Sequence, residues 1–190
     1  MKLRLGAIVL AAGEAKRFGG NKLSSTWGEG MLVDGALAAA AAAPVETIVV
    51  VTGADALAKQ RIAAHPDPRM RAVYNPGYET GMAGSLKMGV SALPKGLHGA
   101  FILLGDMPRI PHDIFEPLVQ ALLNGAPAAA PSFGGERGHP VLLAAGILDE
   151  LMQLEGDTGA GAILRLLGPQ LKLIPTGDDG VLFDVDIRGG

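Results

Sequence analysis

The chain has 190 residues, of which 48% are hydrophobic and 18% are charged. This balance is typical of a folded globular domain and excludes an intrinsically disordered chain. The formal net charge of -3 at pH 7 gives no general attraction to nucleic acids or to anionic membranes. The sequence has no cysteine, which excludes disulfide bonds, thiolate nucleophiles and cysteine-ligated metals and agrees with a cytoplasmic location.

The N-terminal segment has the order of charges and apolar residues that a secretory signal shows. Lys2 and Arg4 precede the apolar run 5–12. This run is short and charged residues follow it directly, so a buried first strand is the better interpretation. No stretch approaches the roughly 20 apolar residues that cross a bilayer, and no membrane partner is expected.

Strand-like and helix-like segments alternate along the chain. Short apolar or β-branched runs predict buried strands at Leu5–Leu10, Thr47–Thr52, Arg71–Tyr74, Ala100–Leu104, Ala128–Pro131 and Leu171–Ile174. Between them, helices are predicted at 36–43, 55–64, 82–92, 112–124, 145–154 and 159–167. This alternation predicts an α/β fold in a single domain, 1–190, with a mostly parallel sheet covered by helices on both faces. Ligands of such sheets bind beyond the carboxyl ends of the strands.

The loop after the first strand is a candidate phosphate-binding site. It begins with Leu10, Ala11, Ala12 and Gly13. Small residues let a ligand approach the backbone, whose N–H groups then form a concave anion site. Arg17 and Lys22 supply the positive charge that a triphosphate requires. The pattern is neither a dinucleotide fingerprint nor a Walker A motif, and an ordinary turn with two solvated cations is the alternative.

Carboxylates at two places are candidate metal ligands. Asp106 follows the fourth predicted strand, and Mg²⁺ binds one or two carboxylates together with phosphate oxygens and water. A turn aspartate bonded to its own backbone is an equally good interpretation of Asp106. Asp184 and Asp186 share one face of an extended segment, where they form either a second ligand or a solvated edge.

Three further glycine-rich stretches lie near predicted turns. In 75–87, Gly81 and Ser85 stand at a helix N-terminus where a base or ribose edge could bind, although Thr80 or Ser85 could equally cap that helix. The hairpin-like loop 134–140 contains the lone His139, which is more often structural than catalytic. In 155–160, Asp157 or Thr158 could cap the helix that follows.

The order of these motifs carries a resemblance. Leu-Ala-Ala-Gly with Arg-x-Gly-x-x-Lys is followed by Gly-Met-x-x-Ser-Leu-Lys, Gly-Asp-Met-Pro, Arg-Gly-His-Pro, Gly-Asp-x-Gly-Ala and Asp-x-Asp. From about residue 5 to 187 the chain resembles the molybdenum cofactor nucleotidyltransferases, specifically their cytidylyltransferase branch. The resemblance implies a Rossmann-like three-layer α/β sandwich of the nucleotide-diphospho-sugar transferase type. It also implies transfer of a nucleotide from CTP or GTP to the phosphate of molybdopterin, with release of pyrophosphate.

The resemblance also implies roles for particular residues. Leu10, Ala11, Ala12 and Gly13 would line the nucleotide, Arg17 and Lys22 would bind its phosphates, and Gly81 and Ser85 would lie at the base. Asp106 and Asp186 would hold magnesium. Arg137, Gly138, His139 and Pro140 would bind the molybdopterin-type acceptor. Ala12 favours CTP, because the guanylyl branch has Leu-Ala-Gly-Gly at this point.

One departure from the family pattern leaves other functions open. Relatives continue after Asp-x-Asp with Thr-Pro-Glu-Asp, whereas Asp186 is followed here by Ile187-Arg188-Gly189-Gly190. The alternatives are a GTP-dependent or other small-molecule nucleotidyltransferase, and a nucleotide-binding maturation factor without turnover. A molybdoenzyme or its chaperone would be the protein partner.

Overall fold

Strand and helix positions follow the apolar pattern of the sequence in a computed structural model that describes residues 3–15 and 18–185. The strands are β1 Leu5–Ala11, β2 Thr26–Trp27, β3 Gly30–Met31, β4 Thr47–Thr52, β5 Met70–Tyr74, β6 Gly99–Leu104, β7 Ala128–Phe133, β8 Glu136–Arg137, β9 Val141–Ala144 and β10 Leu171–Pro175. The α-helices are α1 Leu32–Ala42, α2 Ala56–Ala63, α3 Met82–Ala92, α4 Phe115–Leu123, α5 Ala145–Leu151 and α6 Gly161–Leu167.

Seven strands form the main sheet in the order β10-β7-β9-β6-β1-β4-β5, and β8 pairs with β7 beside it. The pairs β1–β4, β1–β6, β4–β5 and β7–β10 are parallel. β9 is antiparallel to both of its neighbours, and β7 and β8 form an antiparallel hairpin. The predicted α/β class with a mostly parallel sheet is therefore confirmed, with an antiparallel insertion.

Three of the short strands were not predicted from the sequence, and neither was β9. The strands β2, β3 and β8 have two residues each, too few for an alternating pattern to appear. The apolar residues of β9 run without a turn into α5, which begins at Ala145, so the sequence gives no boundary between strand and helix. The predicted hairpin-like loop 134–140 corresponds to the β7–β8 hairpin.

Helices cover both faces of the sheet and make a core on each side. On one face the helices α1, α2 and α4 pack through residues such as Val33, Ile62 and Leu118. On the other face α3, α5 and α6 pack through residues such as Leu86, Leu148 and Leu164. The buried β1 agrees with the interpretation of the N-terminal apolar run as a strand. Within the described ranges, no helix is long and apolar enough to cross a membrane.

The topological switch point of the sheet is at β1. This strand pairs in parallel with β4 on one side and with β6 on the other. Leu10 lies opposite Leu104 in the parallel register, and the Gly105 N–H donates to the Leu10 carbonyl over 2.9 Å. Beyond this point the loops that follow β1 and β6 diverge. Parallel α/β sheets bind ligands in the crevice that such a divergence leaves.

Candidate functional site

A cavity of about 450 Å³ lies at the carboxyl ends of β1 and β6. It is lined by Leu10, Ala11, Ala12, Gly13, Glu14, Ala15, Lys22, Leu23, Tyr78, Glu79, Thr80, Gly81, Met82, Ser85, Leu104, Asp106 and Asp157. The structure therefore brings together the candidate nucleotide residues of three separate motifs. Arg17 and Asp186, also named by the sequence, lie outside the described residues.

The first wall of the cavity is the loop that follows β1. Ala12 packs against Gly53, where any Cβ would overlap the Ala12 carbonyl oxygen. A Cβ at Gly13 would meet no atom of residues 3–15 or 18–185 within 4 Å, so these residues leave space beside it that a ligand can occupy. Ala15 has φ 50° and accepts hydrogen bonds from the N–H groups of Phe18 and Gly20. A non-glycine residue in this left-handed region is strained, which is a feature of ligand-binding loops.

Lys22 and Asp106 form an ion pair inside the cavity. The Nζ atom of Lys22 lies 2.7 Å from Oδ2 of Asp106, and Lys22 is only 8% exposed. The alternative of a turn aspartate bonded to its own backbone does not describe this carboxylate, because its hydrogen-bond donor is a side chain from a different loop. The Asp106 side chain remains 28% exposed, so a ligand that enters the cavity can reach this carboxylate and replace or share its bond with Lys22.

The carboxylate of Asp106 suits a divalent cation that arrives with phosphate. Among the described residues no group of three or more histidines and acids could form an all-protein metal cage. Mg²⁺ does not need one, since it commonly takes one or two carboxylates and keeps the remaining positions for water and substrate oxygens. The Val185 N–H donates to the backbone carbonyl of Asp106 over 3.2 Å, which holds the segment near the chain end beside this aspartate.

Asn75 organises the opposite wall and was not singled out from the sequence. Its Oδ1 accepts from the Gly77 N–H at 2.9 Å, so Nδ2 is the atom that donates to Ser85 Oγ at 3.0 Å. Asn75 is 4% exposed and Ser85 is 5% exposed. Because Ser85 Oγ accepts here, its hydroxyl hydrogen remains for another acceptor. The sequence signal was available: a polar Asn directly after a strand and before Pro-Gly.

The N-terminus of α3 is not capped by the residues that the sequence suggested. Neither Thr80 nor Ser85 caps the helix; the N-cap is Gly81, which has no side-chain hydrogen bond. The first N–H groups do not point freely outward either. Met82 donates to Asp157 Oδ1 at 3.2 Å and Ala83 donates to the Gly156 carbonyl at 3.2 Å. Asp157 therefore caps α3, across 75 positions, and not the following helix as predicted.

The Arg137–Pro140 segment does not line the cavity but packs against β7 and Val181. The Gly138 N–H donates to Pro131, the His139 N–H donates to Val181, and a Cβ on Gly138 would overlap the Val181 carbonyl. Burial is the largest of the causes that lower the Arg137 pKa, followed by the nearby Arg165. The segment thus places an arginine in partly desolvated surroundings, beyond the cavity wall.

His139 is held neutral by its surroundings. Its pKa is lowered to about 4: burial is the largest cause and the charge of Arg137 adds to it, while a hydrogen bond with the Ile102 backbone and the charge of Asp106 act in the opposite direction. Its Nδ1 is buried and has no hydrogen-bond partner among the described residues. The interactions with both Arg137 and Asp106 connect the segment electrostatically to the cavity.

The family comparison covers most of the chain: the MobA-like NTP transferase domain matches residues 7–173. The molybdenum cofactor cytidylyltransferase of Escherichia coli is 28% identical over 179 residues, which cover 94% of this chain and 89% of that enzyme. The 2-C-methyl-D-erythritol 4-phosphate cytidylyltransferase of Streptomyces avermitilis is 33% identical over 135 residues, or 68% of this chain. The chain spans about half, 54%, of that second enzyme's length.

Solved structures support the same fold. Rv0371c from Mycobacterium tuberculosis superposes with a TM-score of 0.83 at 21% identity, over 98% of this chain and 94% of that one. A structure of Rv0371c in complex with manganese superposes with a TM-score of 0.74 at 18% identity, over 91% of this chain and 88% of that one. At these identities the likeness establishes the α/β architecture alone. The family match over residues 7–173 shows that the chain belongs to the MobA-like NTP transferase family.

Proposed function

We propose that the protein transfers the cytidylyl group of CTP to the phosphate of a molybdopterin-type acceptor, with Mg²⁺, and releases pyrophosphate. The observation that carries this proposal is the Lys22–Asp106 pair in the cavity beyond β1 and β6. It offers one group for phosphate and one for a metal at adjacent positions. The acceptor is supported by the Escherichia coli relative, whose similarity extends over nearly both chains.

The chemistry requires positioning and charge neutralisation, and no covalent enzyme intermediate. An oxygen of the acceptor phosphate forms a bond to the α-phosphorus of CTP. The bond from that phosphorus to the bridging oxygen breaks, and its electron pair leaves with pyrophosphate. Lys22 exchanges Asp106 for phosphate oxygens and stabilises the departing charge. Arg17, matched by the family motif, would add a second positive charge there.

Asp106 would hold the magnesium ion, with Asp186 as the second ligand. The contact of the adjacent Val185 with the Asp106 backbone supports Asp186 in that role. Mg²⁺ would supply Lewis-acid neutralisation of the phosphate oxygens. The rest of the site holds the nucleotide: Leu10–Gly13 along one wall, and Gly81 with Ser85 at the base.

Ala12 supports cytidine over guanosine. It lines the cavity and packs into the core beside β1. Its methyl group takes room that the glycine of the guanylyl branch would leave free. A pyrimidine ring is the smaller base, so it fits the narrower space.

The acceptor would bind on the side of Arg137, Gly138, His139 and Pro140. The electrostatic influence of both Arg137 and Asp106 on His139 supports this, because Asp106 is the proposed metal ligand. We propose that a single domain, 1–190, carries the whole reaction in the cytoplasm. A molybdoenzyme or its chaperone would receive the product, and no nucleic acid or membrane is involved.

A second candidate is cytidylyl transfer to a smaller phosphorylated alcohol. The Streptomyces avermitilis relative, named for 2-C-methyl-D-erythritol 4-phosphate, is the more identical of the two relatives, although over a shorter stretch. A panel of acceptors separates the two: the proposed function expects CTP-dependent pyrophosphate release with molybdopterin and none with the alcohol phosphate. Nucleotide binding without pyrophosphate release for any acceptor would favour the maturation factor. Pyrophosphate release with GTP alone would favour the guanylyl branch.

Asp106→Asn tests the site while keeping its shape. The amide cannot neutralise a metal or Lys22, so we expect pyrophosphate release to fall by about 10²–10³, the usual loss for a charge-stabilising contact. The melting temperature reports whether the fold is intact. Asp149→Asn, on the exposed face of α5, is the matched control and should leave release unchanged. Turnover near that of the unchanged protein in Asp106→Asn would contradict the assignment.

A further inference from the structure

Asp157 contributes a carboxylate to the cavity wall beside Gly81, Met82 and Ser85. One of its oxygens, Oδ1, accepts the Met82 N–H at 3.2 Å. Its other oxygen, Oδ2, has no hydrogen-bond partner within the part of the chain that the structure describes. A carboxylate oxygen accepts hydrogen bonds and cannot donate them when ionised. Asp157 is exposed, so this wall of the cavity offers a hydrogen-bond acceptor that a ligand can reach.

The position of this carboxylate is fixed by close backbone packing. A Cβ on Gly81 would lie 2.5 Å from the Gly156 carbonyl oxygen and 2.6 Å from the Asp157 nitrogen. Gly81 also has φ 112°, so glycine is required for two reasons. With the Ala83 N–H bonded to Gly156, the turn before Asp157 and the first turn of α3 form one unit. Asp157 consequently keeps its place relative to Ser85, one turn into the helix.

Asp157 shares the cavity wall with other carboxylates, whose charge is opposite to that of Lys22. Glu79 and Glu14 also line the cavity, and both interact with Tyr78. Burial first, and then the charges of Glu79 and Glu14, raise the Tyr78 pKa. Lys22 in the cavity wall attracts a triphosphate, whereas the carboxylates of Glu79 and Asp157 repel one. The group that belongs beside Asp157 is one that donates hydrogen bonds without carrying negative charge.

We propose that Asp157 selects the nucleobase by accepting a hydrogen bond from its exocyclic amino group. The inference rests on the proposed nucleotidyl transfer and adds the residue that chooses the base. Cytosine presents an amino group at position 4, where uracil presents a carbonyl oxygen. The carboxylate attracts the first and repels the second. Ser85 and Asn75 would hold the same ring edge from the α3 side.

Asp157→Asn tests this selection directly. The amide oxygen still accepts the Met82 N–H, so the cap of α3 remains, and an NH₂ donor replaces the acceptor in the cavity. The dissociation constants of CTP and UTP with Mg²⁺ are measured by calorimetry for the unchanged chain, for Asp157→Asn and for the control Asp149→Asn. We expect the preference for CTP over UTP to fall by about tenfold or more in Asp157→Asn alone, as for a lost hydrogen bond to a charged group.

The outcomes separate this inference from the proposed function. An unchanged CTP-to-UTP ratio in Asp157→Asn, or an equal loss for both nucleotides, would overturn the selection and leave Asp157 as a helix cap. If the unchanged protein prefers GTP, the same measurement is made with GTP and with ITP, which lacks the 2-amino group. Asp157→Asn should then reduce the preference for GTP over ITP. A protein that binds no nucleoside triphosphate would overturn both proposals. Transfer that proceeds normally with an unaltered ratio would overturn only this one.

Discussion

His139 shows how one residue can report on the site without lining the cavity. Its imidazole lies within electrostatic reach of Asp106 and Arg137, and burial is the largest influence on it. A buried neutral histidine stabilises the fold only while it stays neutral. The pH dependence of stability therefore reports on the burial of His139.

We expect the protein to lose stability as the pH falls from about 6.5 to about 4. The folded-state pKa of His139 is about 4 and its ordinary value is 6.5, so between these values the unfolded chain binds the extra proton. Stability is then greatest above pH 6.5 and decreases toward pH 4. At about 1.4 kcal/mol for each pKa unit, the loss is at most about 3 kcal/mol.

Urea unfolding at several pH values between 4 and 7 measures this loss. His139→Gln should flatten the dependence over this range, because its side chain does not titrate. His112→Gln, which changes an exposed histidine, is the control and should leave the slope as it is. A slope that His139→Gln does not reduce would show that other groups cause the acid sensitivity.

Among the elements, α1 supports the turn that carries Asp106. A Cβ on Gly35, inside α1, would overlap the backbone carbonyl oxygen of Pro108, two residues beyond Asp106. The backbone of α1 at Gly35 therefore packs directly against the backbone of the turn at Pro108. Backbone atoms cannot rotate away as a side chain does, so this contact tolerates no added volume.

Gly35→Ala should destabilise the protein, although alanine is normally the better helix residue by about 0.5–1 kcal/mol. The overlap with Pro108 outweighs that gain, and we expect a net loss of about 1–3 kcal/mol. Gly146→Ala is the matched control in α5, where a Cβ would meet none of the described residues within 4 Å and the gain in helix stability should appear. Chemical unfolding should therefore give opposite signs for the two variants. A stabilising Gly35→Ala would mean that α1 can move off the turn.

Elements with a strong local pattern could be predicted from the sequence. β1, β4 and β6 follow from continuous apolar runs, and α4 from its spacing of apolar residues. β9 could not be predicted, because four apolar residues lead directly into α5. Periodicity describes neighbours along the chain. It says nothing of a boundary that only the partner strands β6 and β7 impose.

The candidate site divides in the same way. The loop 10–22 and Asp106 were found because each follows a strand and has residue types that suit phosphate or metal. The bond between Lys22 and Asp106 joins residues 84 positions apart, and no local pattern contains it. The cap that Asp157 provides to α3 was assigned to the wrong helix for the same reason. Sequence reasoning identified the groups, and the fold determined their partners.

At the scale of the whole molecule, the cavity joins parts of the chain that lie far apart in the sequence. The loop after β1, the start of α3, the turn after β6 and the turn before α6 all contribute to its wall. A ligand that contacts these parts ties them together and stabilises the folded state by mass action. The Lys22–Asp106 pair adds a condition, since a metal alone must compete with an ammonium group at 2.7 Å for the carboxylate.

We expect Mg²⁺ and CTP to raise the melting temperature together by more than the sum of their separate effects. CTP draws Lys22 to its phosphates and frees Asp106 for the metal, so each ligand improves the site for the other. At a ligand concentration about 100 times its dissociation constant the stabilisation is about 2.7 kcal/mol, or roughly 5–10 °C for a domain of this size. Lys22→Met should let Mn²⁺ alone bind more tightly and should weaken CTP, whereas the exposed Lys95→Met should do neither. A full thermal shift with the metal alone in the unchanged protein would show that the ion pair does not control access to Asp106.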